Sequence, residues 1–399
     1  LHILQLATRV PWPANDGGRV AIVQITRGLA AGGRDVDLLA LNPREQREHV
    51  ETAGAALSPA RVDAVDVETS VARGVVRALR DRAPLLPSRY AASAFARVLR
   101  ERLRATRYDV VHVESPYLLP YLPLIRAESR AKVVMRAQNV EFHVWEARAQ
   151  QARGVRRLAL QRVAASLRAW EIARINECDA LLPISRADAE EFLAQGCRVP
   201  LHVLPCGIEV GAAPAPPGDP FAFYFVGAME HAPNADAARW LVNELWPRVV
   251  AREPRVRLTI AGSRFPRALQ ESLAARGAAI AADVPDLAAF AAPFGAMLAP
   301  LFTASGMRVK TLEAMALGKP VVANALGVGG IDVTPNVHAF IANDVDAFAD
   351  AVVSCAREPE RARNVGLAGR ALAAERYDVH RVTGGLVDFY ERLVRDSAR

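Results

Sequence analysis

Residues 305–323 read SGMRVKTLEAMALGKPVVA, and the charged side chains in this run have the types and spacing of an anion site. The apolar spacing predicts a helix of about three turns, capped by Ser305 and ended by Gly318 and Pro320, with Gly306 allowing backbone to approach a ligand. Arg308 and Lys310 fall in its first turn, where each cation costs roughly 0.3–1 kcal/mol against the positive end of the helix dipole. A diphosphate held by the N–H groups and both cations would offset that cost. Glu313 lies one turn further on and offers an acceptor-only carboxylate to sugar or ribose hydroxyls. The competing reading is a solvated helix with a surface Lys–Glu pair.

EAMALGKPVVA, preceded by GMRVK, resembles the donor-binding motif of GT-B glycosyltransferases of the GT4 type, also called glycosyltransferase group 1. The family pattern has two glutamates separated by seven residues. Glu313 matches the second, which contacts the nucleotide ribose, while Ser305 stands where the first contacts the transferred sugar. Gly306, Lys310 and Glu313 fit the Gly-x-x-x-Lys-x-x-Glu form of an exopolysaccharide-associated sugar transferase subgroup, and VGAMEHAPNADAARWL (Val226–Leu241), DVPDL (Asp283–Leu287) and RAQNVEFHVWE (Arg136–Glu146) are similar to its other landmarks.

The resemblance implies an α/β chain of two Rossmann-like, doubly wound parallel-sheet domains facing a cleft. It also implies a nucleotide diphosphate sugar as donor, retention of anomeric configuration, and neither metal nor cofactor. Carried over residue by residue, the donor set is Gly17, Gly18, Glu230, Val284, Asp286, Gly306, Arg308, Lys310 and Glu313. The acceptor, a glycan or lipid-linked sugar, would meet Asn15, Asp16, Asn139 and Glu141. Arg308 and Lys310 would stabilise the leaving diphosphate. Gln138 stands where the subgroup often has a histidine and cannot titrate, so His143 is the candidate for proton transfer.

Several of these residues have plainer readings. Asp16 and Asp286 are equally good helix caps, and Glu230 with His231 an ordinary polar turn. Related relatives carry Arg and Lys in the loop after Val226; this chain has neither, which leaves the diphosphate to Arg308 and Lys310. Two other functions stay open: a nucleotide-sugar 2-epimerase on the same fold, and a non-catalytic nucleotide-sugar-binding protein.

The elements that must position these residues follow from periodicity. Strand-length apolar runs alternate with helical patterns, as in parallel βαβ units. Strands are predicted at Ile3–Ala7, Val36–Leu41, Val110–Val113, Lys132–Arg136 and Ala180–Pro183, then at Ala222–Val226, Val256–Ala261, Ala296–Pro300 and Pro320–Ala323. Ligands of such sheets bind beyond the strands' carboxyl ends, so the Thr8–Gly18 loop is expected to bind. The proline-rich VGAAPAPPGDP marks a linker, giving domains at 1–208 and 221–377, a linker at 209–220, and an amphipathic helix at 378–399 free to pack on either.

With 399 residues, 51% of them hydrophobic, the chain has material for two cores. No leader is expected at its start, and the uncharged run Leu287–Met307 holds two prolines, so a helix, turn and buried strand suit it better than a span. Four cysteines without a CxxC pair, and no Asn-x-Ser/Thr site, fit a cytoplasmic protein. The net charge of +7 resides in residues 1–205, with 30 basic against 22 acidic side chains. Arginines from Arg73 to Arg107 at helical spacing suggest either a solvated face or peripheral docking on an anionic membrane; nucleic acid is not expected.

Overall fold

Val-, Leu- and Ala-rich runs buried on both faces pair as parallel strands, as sheets covered by helices on each side require. The computed structural model describes residues 1–14, 16–68, 74–78, 83–284, 286–303 and 306–396. Asn15, Arg73 and Ser305 among the residues named above lie outside these ranges. The first sheet joins β1 (His2–Ala7), β2 (Asp35–Pro43), β3 (Arg61–Val67), β4 (Val110–Val113), β5 (Lys132–Ala137) and β6 (Ala180–Pro183) in the order β3-β2-β1-β4-β5-β6. The second joins β7 (Asp219–Val226), β8 (Arg257–Gly262), β9 (Ala279–Ala282), β10 (Phe294–Ala299), β11 (Val321–Ala323) and β12 (Phe340–Ile341) in the order β12-β11-β10-β7-β8-β9. Strand order reverses between β1 and β4 and between β7 and β10, where doubly wound sheets open a crevice.

Three strands escaped the sequence reading, β3, β9 and β12, and all three are sheet edges. Edge strands face solvent on one side, so their runs are short or polar; Arg61–Val67 reads RVDAVDV. The uncharged stretch expected to hold a helix, a turn and a strand supplies the helix Leu287–Ala291 and β10. No helix of the described residues is long and apolar enough to cross a membrane.

The chain divides into two compact units, residues 1–207 with 379–399 and residues 208–378. The expected linker at 209–220 belongs to the second unit. Its prolines offer carbonyls without competing N–H groups, and the buried Lys319 ammonium donates to Pro216 O (3.2 Å), Ala292 O (2.8 Å) and Phe294 O (2.9 Å). All three ammonium protons are thereby used, and Ala215 N bonds Leu317 O at 2.8 Å. A cavity of about 200 Å³ lies beside this clamp, lined by Pro214–Pro217, Lys319 and Cys355, at the amino ends of β7 and β10 and so on the edge away from the candidate site.

The terminal helix packs on the first unit. Of the helices that matter below, α1 spans Gly17–Ala31, α2 Ser93–Ala105, α3 Glu141–Gln151, α4 Gly154–Ile175, α5 Val309–Ala316 and α6 Val379–Arg395. Val382, Leu386 and Tyr390 of α6 share a core with Ile3, Ile25, Leu29, Val110 and Val134. Contact is close enough that a Cβ on Gly28 of α1 would lie 2.3 Å from Thr383 Cγ2. On α2 the expected cationic face is partly paired: Arg100 and Arg104 share Glu128, and Arg102 bonds Asp63.

Leu386→Ala is therefore expected to cost about 2–5 kcal/mol, with the damage confined to the first unit. Hydrogen exchange should quicken in β1 and β4 while β7 and β10 keep their protection. Uniform loss of protection in both sheets would contradict this packing.

Candidate active site

In the first unit the loops after β1, β4 and β5 meet around one buried carboxylate. Glu114, the residue after β4, accepts from Gln5 Nε2 (2.5 Å) and Gln138 Nε2 (3.0 Å), lies 3.3 Å from Arg136 Nη1 and 3.3 Å from His112 Nε2. Burial works to raise its pKa, but Arg136, His112, Gln5 and Gln138 outweigh that and hold it below the usual carboxylate range. His112 is wholly buried, which pushes it down to about 4, so it is neutral. The hydroxyl of Tyr390, itself raised by burial, shares a hydrogen bond of 2.6 Å with His112 Nδ1, and His112 Nε2 faces Glu114.

This network fixes the outer loops. Gln138 extends from Glu114 to the start of α1, where a Cβ on Gly18 would lie 3.1 Å from Gln138 Oε1. Asp16 Oδ1 accepts from Arg19 N (3.0 Å) and Arg9 Nη2 (2.7 Å), so Asp16 caps α1 and positions Arg9 instead of standing free for an acceptor. Gln138, expected only as an inert replacement, is the link between buried hub and ligand edge. Neither Glu114 nor Arg136 was anticipated; the signal was a charged residue at the end of each of two apolar strands.

Asn139 and Glu141 come together as expected. Glu141 accepts from Tyr117 OH at 2.7 Å and from the Asn139 side chain, and Tyr117 stacks on Tyr90 with ring centroids 5.4 Å apart. Burial raises Glu141, and the buried Glu171 of α4 is raised well above its ordinary value, first by burial and then by Glu141. Both Glu171 oxygens lack a hydrogen bond of ordinary geometry, although the first N–H groups of α3 partly offset the charge. His143 does not join this cluster. It is half-exposed and faces the carboxylates of Glu146 (3.7 Å) and Glu191 (3.3 Å).

In the second unit, α5 starts at Val309 and has two turns, shorter than expected. Arg308 occupies the cap position with no side-chain cap, and Gly306 before it has φ of +69°. Gly318, with φ of +74°, closes the helix, its N–H bonding Met315 O at 2.8 Å. Arg308 folds back onto the loop after β11, donating Nε–H to Leu326 O at 2.9 Å. Lys310 Nζ donates to Glu313 Oε2 at 2.9 Å, leaving two ammonium protons for another acceptor.

Glu230 pairs with Arg264 at 2.6 Å, and Asp286 caps a short helix by accepting from Ala288 N and Ala289 N. That cap uses the Asp286 carboxylate locally; Val284 beside it is half-buried. Arg264 was missed by the sequence reading, yet it supplies the cation that the loop after β7 lacks. It follows β8 with φ of +48°, and Asp283 after β9 has φ of +52°. Such strained non-glycine backbone gathers at functional sites. Asn324 was also missed: it accepts from Leu301 N (3.1 Å) and Gly327 N (2.9 Å) and donates to Leu301 O (2.7 Å), clamping the loops after β10 and β11. The chain's two Asp-x-Asp spacings are used locally. Asp37 accepts from Tyr108 OH at 2.6 Å at the amino end of β2, and Asp344 caps a helix through Ala347 N.

Two doubly wound units, each with its polar loops at the carboxyl edge of its central strands, define the class: a two-domain α/β protein of the GT-B architecture. Residues 15–211 match the family model described as Glycosyltransferase Family 4, and residues 220–358 the one described as Glycosyl transferases group 1. The chain belongs to this family and is a glycosyltransferase. A Klebsiella pneumoniae protein described as an uncharacterized 44.6 kDa protein in the cps region is 23% identical, over 95% of this chain and 97% of that one. Anabaena HepE, solved in complex with UDP, is 15% identical with a TM-score of 0.68, covering 98% of this chain and all of its own. Sucrose-phosphate synthase from Thermosynechococcus elongatus is 17% identical with a TM-score of 0.69, covering 99% of this chain and all of its own.

Glu171 gives a test of the buried acid pair. A carboxyl raised in the folded state keeps a proton that the unfolded chain releases near pH 4.3. Its stabilising contribution is full below that pH and is lost as pH rises through the folded value. Glu171→Gln should thus raise the midpoint of urea unfolding at pH 7.5, with the gain disappearing near pH 4.5. A variant less stable than wild type at pH 7.5 would mean that the ionised form is paired.

Proposed function

We propose that the enzyme binds a nucleotide diphosphate sugar at the carboxyl edge of the second unit and transfers its sugar to a glycan or lipid-linked acceptor held by the first unit. The observation that carries this reading is the set of three cations, Arg264, Arg308 and Lys310, on the segments that follow the two strands flanking β7, with two carboxylates, Glu230 and Glu313, paired to Arg264 and Lys310. Cations placed beforehand around a diphosphate lower the barrier to its departure, because the charge that develops there meets oriented donors. Lys310 and Arg308 take the leaving oxygens, Glu313 the ribose hydroxyls, and Gly306 lets backbone come close. Glu230 and Val284 complete the donor contacts of the second unit.

Transfer is proposed to retain anomeric configuration and to need no metal. In its favour, the cations are supplied by side chains and the Asp-x-Asp carboxylates are used locally. Asn139 and Glu141 are the acceptor contacts, with Tyr117 beside them. The half-exposed His143, facing Glu191, is a poorer candidate for proton transfer than Glu141, whose raised pKa suits a group that accepts a proton from an acceptor hydroxyl. Assembly of an exopolysaccharide or cell-surface glycan is the proposed setting, favoured by the cps-region relative.

Calorimetric titration with UDP, GDP and ADP tests the donor site. Lys310→Ala and Arg264→Ala should each weaken the preferred nucleotide by about 1.5–3 kcal/mol with unfolding midpoints unchanged. Arg308→Ala should weaken binding and also lower stability, since its guanidinium holds the loop after β11. Wild-type affinity in both Lys310→Ala and Arg264→Ala would refute the site.

A further inference from the structure

Helices α3 and α4 pack side by side as a hairpin, joined at residues 152–153, with Gly154 at φ of +57°. Its base belongs to the acceptor crevice, because Glu141 begins α3 and Glu171 lies near the end of α4. Its tip is a different environment. Ala164, Leu167, Glu171 and Ile175 bury the second half of α4, whereas no residue from Gly154 to Val163 is buried. Val155 is 83% exposed and Leu158 is 55% exposed.

These two apolar side chains stand with Arg162 at spacings of three and four residues, which places them on one face, opposite the Ala164–Leu167–Glu171 stripe. Arg153, Arg156 and Arg157 flank them. Residues 147–170 contain six arginines and no acid, and among the described residues none of Arg153, Arg156, Arg157 and Arg162 pairs with a carboxylate. On α2, by contrast, three of the four arginines are paired: Arg100 and Arg104 with Glu128, and Arg102 with Asp63.

We infer that the tip of this hairpin docks on an anionic membrane surface, with Val155 and Leu158 entering the headgroup boundary and the arginines lying among lipid phosphates. A cationic stripe alone would suit nucleic acid as well, but exposed branched apolar residues interleaved with arginines gain nothing from a sugar-phosphate backbone, whereas an amphipathic surface helix buries such a face in lipid. Docking would hold the crevice roughly 16 Å from the surface, the length of α3 at 1.5 Å per residue, within reach of a lipid-linked acceptor. The inference rests on the transfer reading only for this purpose; vesicle binding and nucleotide binding are measured separately, and either can fail alone.

The test is co-sedimentation of the full chain with vesicles of phosphatidylcholine alone or mixed with an equal part of phosphatidylglycerol. Wild type should sediment with the mixed vesicles near 0.1 M salt and be released near 1 M, as the screening length falls from about 10 Å to 3 Å. Val155→Ser/Leu158→Ser and Arg156→Gln/Arg157→Gln/Arg162→Gln should each bind mixed vesicles at least tenfold more weakly. Both should keep wild-type nucleotide affinity, which shows that they fold, and Arg100→Gln/Arg104→Gln should sediment as wild type does. Wild type remaining in the supernatant, or either tip variant sedimenting normally, would overturn the proposal. A change in molar mass by light scattering on mutating Val155 and Leu158, without vesicles, would assign the face to a protein partner and overturn it too.

Discussion

Glu114 carries a negative charge in the interior of the first unit, and the shape of that unit's ligand edge follows from keeping the charge paired. A buried carboxylate without partners would shed its charge by taking up a proton. Here β1 sends Gln5, β5 sends Arg136 and Gln138, and α6 reaches it through Tyr390 and His112. Each partner is a loop or strand that must be in place for the charge to be tolerated, so one electrostatic requirement aligns elements more than a hundred residues apart. Removing one partner of such a set costs more than its hydrogen bond, because the remaining charge stays buried.

The second unit solves its positioning problem with neutral clamps. Lys319 is the exception in charge but not in logic: its three protons are divided among three carbonyls, and burial lowers its pKa. Asn324 holds the loops after β10 and β11 together through hydrogen bonds of its side-chain amide, and Thr311 Oγ1 donates to Gly327 O at 2.8 Å beneath them. Strong clamps in and beneath the edge leave the cations at its surface free of structural duty, except Arg308. The same sequence run, EAMALGKPVVA, thus mixes two roles: Glu313 pairs with Lys310 at the carboxyl edge, while Lys319 secures the base of the sheet.

The two surface arginine clusters illustrate how far periodicity carries. Both α2 and α4 have cations at helical spacing, and the sequence treats them alike. On α2 the acids that pair with Arg100, Arg102 and Arg104 come from β3 and from a helix end at Glu128, brought close only by folding. On the tip of α4 no carboxylate arrives from the described residues, and the apolar residues between the arginines stay in solvent. Which cluster retains its charge is decided by neighbours distant in sequence.

By itself the sequence determined the alternation of strands and helices, the two parallel sheets, and the Lys310–Glu313 and Asn139–Glu141 placements, because these depend on local periodicity and on loops that follow buried strands. It could not reveal three of the four edge strands, β3, β9 and β12, whose runs are short or lack a continuous apolar signal, nor the domain to which α6 returns, since an amphipathic face fits any complementary core. Asp16 and Asp286 could be read as ligands or caps until backbone N–H groups were seen in front of them. Arg264 and Glu114 were hidden for a related reason: their roles come from partners on other strands, Glu230 for one and Gln138, Arg136 and His112 for the other. Charge pairing acts through space over a few ångströms, and only the tertiary structure decides which residues lie that near.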